Sequence, residues 1–447
     1  MSENQGKRKY FRGGVHPHDG KALSAKNSIN EAPLFDKYQV VLQQNIGAPP
    51  KAIVKKGDVV LKGQMIAEST GFVCTPVHAP TSGVVSGIVE IPGAMGQSVK
   101  AIEIASDGED KWGSSLKPMK DWEQRDDSEI KQRIHDAGIV GMGGAAFPTH
   151  VKLSPPENKN IDYLILNGAE CEPYLTADHR LMIEDPERIL KGALIIANSL
   201  NINKIAIGIE KNKPDAIKIL KKHSADYGIS IVPLRMMYPQ GAEKQLIYSV
   251  TKRKVPAGGL PMDCGCVVQN VATAAAVYDA VVKGQPLIER VTTITGNSVV
   301  NPGNWRLKLG TTALDALKLA SGVKNNPAKI IMGGPMMGFA QKSLMVTITK
   351  NSSGILLLDK EDTSIYESRQ CINCKGCVDV CPMNLTPSVL SKAAVKENFD
   401  IAERFNVMDC MECGCCAYVC PSRRPMVQHL RLAKGKILAK RRAQQNK

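Results

Sequence analysis

Apolar and polar residues follow different rhythms along this chain, and each rhythm predicts a different architecture. Over residues 52–104 short apolar runs are cut by glycine and polar turns, as in AIVKKGDVVLKGQMIAES and VHAPTSGVVSGIVEI, the signature of a unit built from short β-strands. Gly57-Asp58 and Gly83 fall where hairpin turns belong. From Asp126 the rhythm changes. DSEIKQRIHDAGI predicts a helix with Asp127 or Ser128 as N-cap. Strands are predicted at 163–166, 204–209 and 229–232, with helices near 186–197, 214–223 and 242–251. Strands alternating with helices imply a parallel sheet covered on both faces. Between 290 and 340 strands return around a turn at Asn301-Pro302-Gly303-Asn304 and one short helix follows, which suggests a β-grasp-like module. That segment ends in MGGPMMGFA, whose glycines imply close backbone approach. Residues 349–370 read as a linker, TPSVLSKAAVKENFDIAERFNV holds two helices, and the stretch from Leu430 reads as a basic helix with a frayed end.

Composition adds bounds. A chain of 447 residues holds about three or four domains, here divided at 1–125, 126–285, 286–348, 349–430 and a basic tail, 431–447. Aromatics are 4%, so the cores are aliphatic. No run of 18 apolar residues occurs and MSENQGKRKY has no apolar h-region, which predicts a soluble or peripheral chain on the cytoplasmic side. The net charge of +15 is partly local, because Leu430 to Lys447 carries seven Lys/Arg and no acid. A solvated face or a docking face both fit such a run. Basic residues are not interleaved with aromatics as single-strand nucleic-acid binding requires, so no nucleic-acid partner is expected.

The chemistry is concentrated in cysteine. Eight of the thirteen cysteines form two copies of CxxCxxCxxxCP, at Cys371, Cys374, Cys377 and Cys381, then at Cys410, Cys413, Cys416 and Cys420. Three thiolates in one tight loop cap three corners of a cubane, and the cysteine before proline reaches the other cluster. On that rule Cys371, Cys374, Cys377 and Cys420 hold one 4Fe-4S cluster and Cys410, Cys413, Cys416 and Cys381 the other. Zinc and disulfides are weaker readings, since zinc ribbons need only paired CxxC and disulfides need an oxidising compartment. Cys415 interrupts the second motif as a spare thiol.

Other segments point to a ligand site. GMGGAAFPTHVK, residues 141–152, is a glycine-rich loop with a lysine beyond it, suited to a phosphate or a planar ring. NGAECEP (167–173) and YPQGAE (238–243) follow apolar strands, where parallel sheets collect ligands, and VVQNVAT (267–273) supplies donors near a helix start. In order and spacing these segments resemble the 51 kDa-type flavoprotein subunit of respiratory complex I, with its GxGGAGFPTxxK, NADESEP, YxxGEE and NNVET. The resemblance implies FMN contacts from Gly141, Gly143, Gly144, Lys152, Asn167, Tyr238, Gly241, Gln269, Asn270 and Thr273. It also implies a nicotinamide-nucleotide pocket lined by Glu170, Glu172 and Glu243, with Phe147 stacking on adenine. Ala169, Cys171 and Ala242 depart from the pattern, and turn or helix-cap work is the alternative for the three glutamates.

The words KKGDVVLKGQMIAES and VHAPTSGVV resemble the biotinyl/lipoyl barrel-sandwich pattern, but STGFVCTPVH carries no carrier lysine. With FRGGVHPHDGK, NGAECEPYLTADHRLM and MGGPMMGFA, nearly the whole chain resembles the C subunits of the Rnf electron-transport complex. The fold class implied is multidomain α/β. It comprises an N-terminal barrel-sandwich domain, a Rossmann-like FMN/NADH-binding parallel-sheet domain, a soluble-ligand-binding β-grasp-like module and an α-helical ferredoxin-type domain with two 4Fe-4S clusters. The function implied is NADH oxidation through FMN and those clusters, with no acid–base catalytic residue. The site implied is peripheral, on the cytoplasmic face of the cell membrane, with ion translocation by partner Rnf membrane and iron–sulfur subunits and ferredoxin reached through a partner. A cobalamin-reductase-like protein and a non-enzymatic electron conduit are the competing readings.

Overall fold

Tyr38, Val40, Val60, Ile66, Val85, Ile102 and Ile104 are buried and close the first unit of the chain in a computed structural model that describes residues 10–113, 116–324, 326–363 and 367–445. Around this core one antiparallel sheet runs Lys37–Val41, Ser98–Ser106, Gly83–Pro92, Val59–Val60. A second runs Lys51–Ala52, Met65–Glu68, Val77–His78. Gly57 is in a turn, at φ +93°. Gly83 is not; it opens the long 83–92 strand opposite Ser106, where a Cβ would fall inside the shell of the Ala105 carbonyl. The glycine there serves close strand approach, a need that reads in sequence like a turn.

The second unit is a parallel sheet in the order Ser230–Leu234, Lys204–Glu210, Tyr163–Gly168, Cys266–Asn270. Helices Pro186–Asn198 and Pro214–Ser224 lie where the apolar period predicts them. Each has proline in its first turn, where no intrahelical N–H bond is lost. The expected N-cap at Asp127 or Ser128 shifts to Asp126, because Asp127 already opens the helix Asp127–Asp136. From the 163–168 strand the chain moves outward to 204–210 and 230–234, then returns to 266–270 on the other side. That reversal opens a crevice between the carboxyl ends of 163–168 and 266–270.

The β-grasp-like unit exceeds its expected bounds. Its sheet runs Ile29–Glu31, Gly303–Lys308, Glu289–Thr295, Gly354–Leu358, Lys329–Met332, Phe339–Gln341, with the helix Ala313–Leu319. Gly354–Leu358, expected in a linker, is a fully buried central strand parallel to 289–295. A short, wholly apolar run lacks the alternation that marks a half-buried strand. Ile29–Glu31, expected with the barrel, supplies the far edge.

In the last unit helices Pro387–Val395, Phe399–Arg404 and Met426–Gln445 pack through Leu390, Ala394, Ala402, Leu430, Ala433 and Ile437. The basic segment placed apart as a tail at 431 is thus part of the long helix Met426–Gln445 that packs into this unit; 446–447 lie outside the described residues. Its charged face also pairs, Lys440 with Asp400 (2.8 Å) and Arg441 with Glu403 (2.6 Å). Among the described residues no helix is long and apolar enough to cross a membrane.

Candidate functional site

The glycine-rich loop lies over the crevice. The Gly141 amide donates to the Phe147 carbonyl (2.8 Å) and the Ala146 amide to the Gly141 carbonyl (3.1 Å), which bows Gly143, Gly144 and Ala145 outward as an exposed strip. Gly144 sits at φ +115° with nothing within 4 Å of the place a Cβ would take, and Gly143 lies over Asn270. The strip is anchored from below. The Met142 amide donates to the Thr273 hydroxyl (2.9 Å), and the Met142 carbonyl accepts from the buried Arg290 guanidinium (2.7 Å). The Gly144 carbonyl accepts from Asn351 (2.9 Å). Arg290 carries no sequence signal, and burial lowers its pKa to about 10.

Residues far apart in sequence meet here. Lys152 pairs with Glu243 (2.8 Å) and donates to the Val268 carbonyl (3.2 Å). Asn167 donates to the Gly241 carbonyl (2.8 Å), and the Gly241 amide points at Cys171 Sγ (3.2 Å). Asn270 caps the helix Val271–Tyr278 through the Ala272 amide (2.8 Å) and donates to Asp178 (2.6 Å). Gln269 is buried with both amide atoms unpartnered. A buried amide normally has partners, so Gln269 and the open strip fit a polar, planar ligand such as a flavin.

Glu170 and Glu172 each accept hydrogen bonds from backbone amides. Glu170, at φ +44°, accepts from the Asp178 (2.7 Å) and His179 (3.2 Å) amides at the start of the helix Ala177–Glu184. Glu172 accepts from the Met336 (3.1 Å) and Met337 (2.8 Å) amides of MGGPMMGFA. Burial raises both carboxyls to about 7. Two buried lysines brace the same loops: Lys21 donates to the Glu172 carbonyl (2.9 Å), and Lys213 to the Ala169 carbonyl (2.7 Å). Lys21 closes the phrase FRGGVHPHDGK, which carried no role for it, and Lys213 lies in no motif.

Cys381, Cys410, Cys413 and Cys416 line one apolar cavity with Pro382, Met383 and Leu430. The Leu385 amide points at Cys381 Sγ and the Glu412 amide at Cys410 Sγ, each at 3.4 Å. Sulfurs in an apolar wall with amides turned toward them suit thiolate-held clusters. Cys377 and Cys420 are buried together beside Met426, while Cys374 is exposed. Tyr238, expected at the flavin, is buried and donates from its hydroxyl to the Cys413 carbonyl (2.8 Å). The Cys415 thiol is wholly buried, 4.0 Å from the Tyr238 carbonyl. Val15 pairs with Tyr238 in both directions (2.8 and 2.9 Å), and the Gly14 amide donates to the Val380 carbonyl (2.9 Å), strapping the crevice unit to the cysteine unit.

Four family profiles match the chain: an RnfC barrel sandwich hybrid domain over 9–109, a Nuo51 FMN-binding domain over 134–279, an SLBB domain over 291–340 and a 4Fe-4S dicluster domain over 363–421. The C subunit of the proton-translocating ferredoxin:NAD(+) oxidoreductase complex of Clostridium ljungdahlii is 48% identical, covering 96% of this chain and 94% of that protein. Its counterpart in the Na(+)-translocating complex of Acetobacterium woodii is 43% identical, covering 97% and 98%. A crystal structure of an NAD+-reducing [NiFe]-hydrogenase in the H2-reduced state shares the fold at a TM-score of 0.50 with 18% identity, over 70% of this chain and 63% of that one.

Proposed function

This chain belongs to the family of C subunits of Rnf-type ion-translocating ferredoxin:NAD(+) oxidoreductase complexes, and from that premise we propose that it is the subunit that oxidises NADH. Membership makes it part of an electron-transferring oxidoreductase, with FMN-binding and 4Fe-4S domains. Bound FMN supplies the conversion of a hydride into single electrons, and two 4Fe-4S clusters carry electrons singly. The chain's own residues bind, orient and shield. Gly141, Gly143, Gly144, Lys152, Gln269 and Asn270 hold the flavin, with Asn167, Gly241 and Thr273 setting the loops. Glu243 and Phe147 face the dinucleotide, while Glu170 and Glu172 keep the walls in place.

The observation that carries this reading is the Tyr238–Cys413 contact, which sets the second cysteine motif directly behind the crevice. Cys381, Cys410, Cys413 and Cys416 are accordingly the inner set. Cys371, Cys374, Cys377 and Cys420 are the outer set, beside Ile372, which is 66% exposed. An acidic partner subunit meets the outer set, and the protein sits peripherally on the cytoplasmic face of the membrane beside the other Rnf subunits.

Anaerobic purification with iron, sulfide and flavin analysis tests the cofactors: about eight irons and one FMN per chain are expected. Zinc in place of iron, or no flavin uptake, overturns the reading. NADH:ferricyanide turnover of the loaded protein separates an enzyme from a pure conduit. Cys374→Ser is expected to retain the NADH-reducible EPR signal of the inner set.

A further inference from the structure

The barrel has no part in this electron path, yet the loop where a lipoyl-like barrel would carry its lysine leans on the short helix Thr149–Lys152 that follows the glycine-rich loop. That loop, residues 69–76, joins Met65–Glu68 to Val77–His78. It is pinned along its length. Ser69 Oγ meets His135 Nε2 (3.2 Å), Thr70 Oγ1 donates to the Pro49 carbonyl (2.9 Å), and the Val73 carbonyl accepts from the Ala48 amide (3.0 Å). The Phe72 carbonyl accepts from His150 Nε2 (2.8 Å), on a ring whose pKa burial lowers. His150 lies two residues before Lys152. A neighbouring barrel loop joins the glycine strip itself, through the Ile46 amide on the Ala146 carbonyl (3.1 Å).

On this fixed platform two large apolar side chains stand in solvent, Phe72 at 63% and Ile46 at 53% exposure. Scattered exposed apolar residues need no explanation. Here, however, the chain has only seven phenylalanines, and one is held outward by a loop tied beside the exposed Gly143–Ala145 strip. The Phe72 ring is itself braced edge-on by His150 at 5.6 Å, and His150 by His135 at 4.7 Å.

A nicotinamide dinucleotide presents two flat ring systems. The nicotinamide must meet the flavin, so the adenine needs a separate apolar face nearby. Phe147, though on the dinucleotide side, is largely buried and leaves most of the adenine face uncovered. We propose that the barrel supplies that face: Phe72, with Ile46 on the neighbouring barrel loop, stacks on the adenine of the dinucleotide. The barrel is then a wall of the substrate site in place of a carrier domain. This rests on the NADH-oxidising reading, and the test separates the two.

The full-length, flavin- and cluster-loaded protein is assayed with NADH and with NMNH, which lacks the adenosine half, while calorimetry follows ADP-ribose binding. Stacking of one base predicts that Phe72→Ala lowers the NADH to NMNH ratio of kcat/KM, and the affinity for ADP-ribose, by about tenfold. Phe72→Trp is expected to restore both. Unchanged discrimination and unchanged ADP-ribose affinity in Phe72→Ala overturn the proposal, as does a loss that appears in Phe147→Ala alone. Weakened assembly with partner subunits at unchanged ADP-ribose affinity overturns it too. A wild-type protein that does not oxidise NADH sinks the earlier reading, and ADP-ribose binding then decides this one by itself.

Discussion

His78 is buried with Nδ1 unpartnered, and desolvation, with Lys350 close by, pushes its pKa down to about 3. The unfolded chain takes up a proton below about 6.5 that the folded chain refuses. Stability is therefore lost as pH falls through that window. At pH 5 the loss is about 2 kcal/mol, and denaturant titrations at pH 7 and 5 are expected to show it reduced by that amount in His78→Gln. Residue identity was a partial guide to such sites. The glycines of MGGPMMGFA announced a close approach, and Gly334 has one, its Cα facing the Glu172 carboxylate. The partner could not be read, because Glu172 is 164 residues from Met336. Glu170 and Glu172 were legible as important carboxylates. Their commitment to backbone amides depends on where a helix and a loop end up.

At the scale of elements, the helix Pro186–Asn198 crosses Val271–Tyr278 at Gly192, where a Cβ would fall inside the shell of the Ala274 carbonyl. In an open helix Gly→Ala gains about 1 kcal/mol. Here the sign reverses: Gly192→Ala is expected to cost about 1–3 kcal/mol by overpacking, read as a lower Tm. A raised Tm would mean that the helices are free to part. Elements with a strong period, such as 186–198, 204–210 and 214–224, were legible within a residue or two, because a half-buried helix or a strand next to turn residues leaves a pattern. The helix Ala177–Glu184 and the strand Gly354–Leu358 were not. The first is short and held by Glu170, and the second is apolar throughout, so neither shows a contrast between faces.

At the scale of the molecule, Lys350 joins three units. Its buried ammonium group donates to the Pro76 (2.8 Å) and Gly138 (2.7 Å) carbonyls, and burial lowers its pKa to about 7. Lys350→Met leaves both carbonyls buried without a donor, at about 1–3 kcal/mol each. The barrel is expected to unfold as a separate, earlier calorimetric transition and to be cut first in limited proteolysis. A single unshifted transition would show that the junction does not depend on this lysine. By itself the amino-acid sequence determined the family, the two cysteine motifs, the glycine-rich loop and the order of the units along the chain, since local spacing and periodicity record what short-range chemistry demands. Only the tertiary structure decided which parts meet: an N-terminal strand on the β-grasp edge, Tyr238 behind Cys413, and a barrel loop beside the glycine strip. Those contacts join residues with no shared period or motif, and shape and burial select them only once the units have packed.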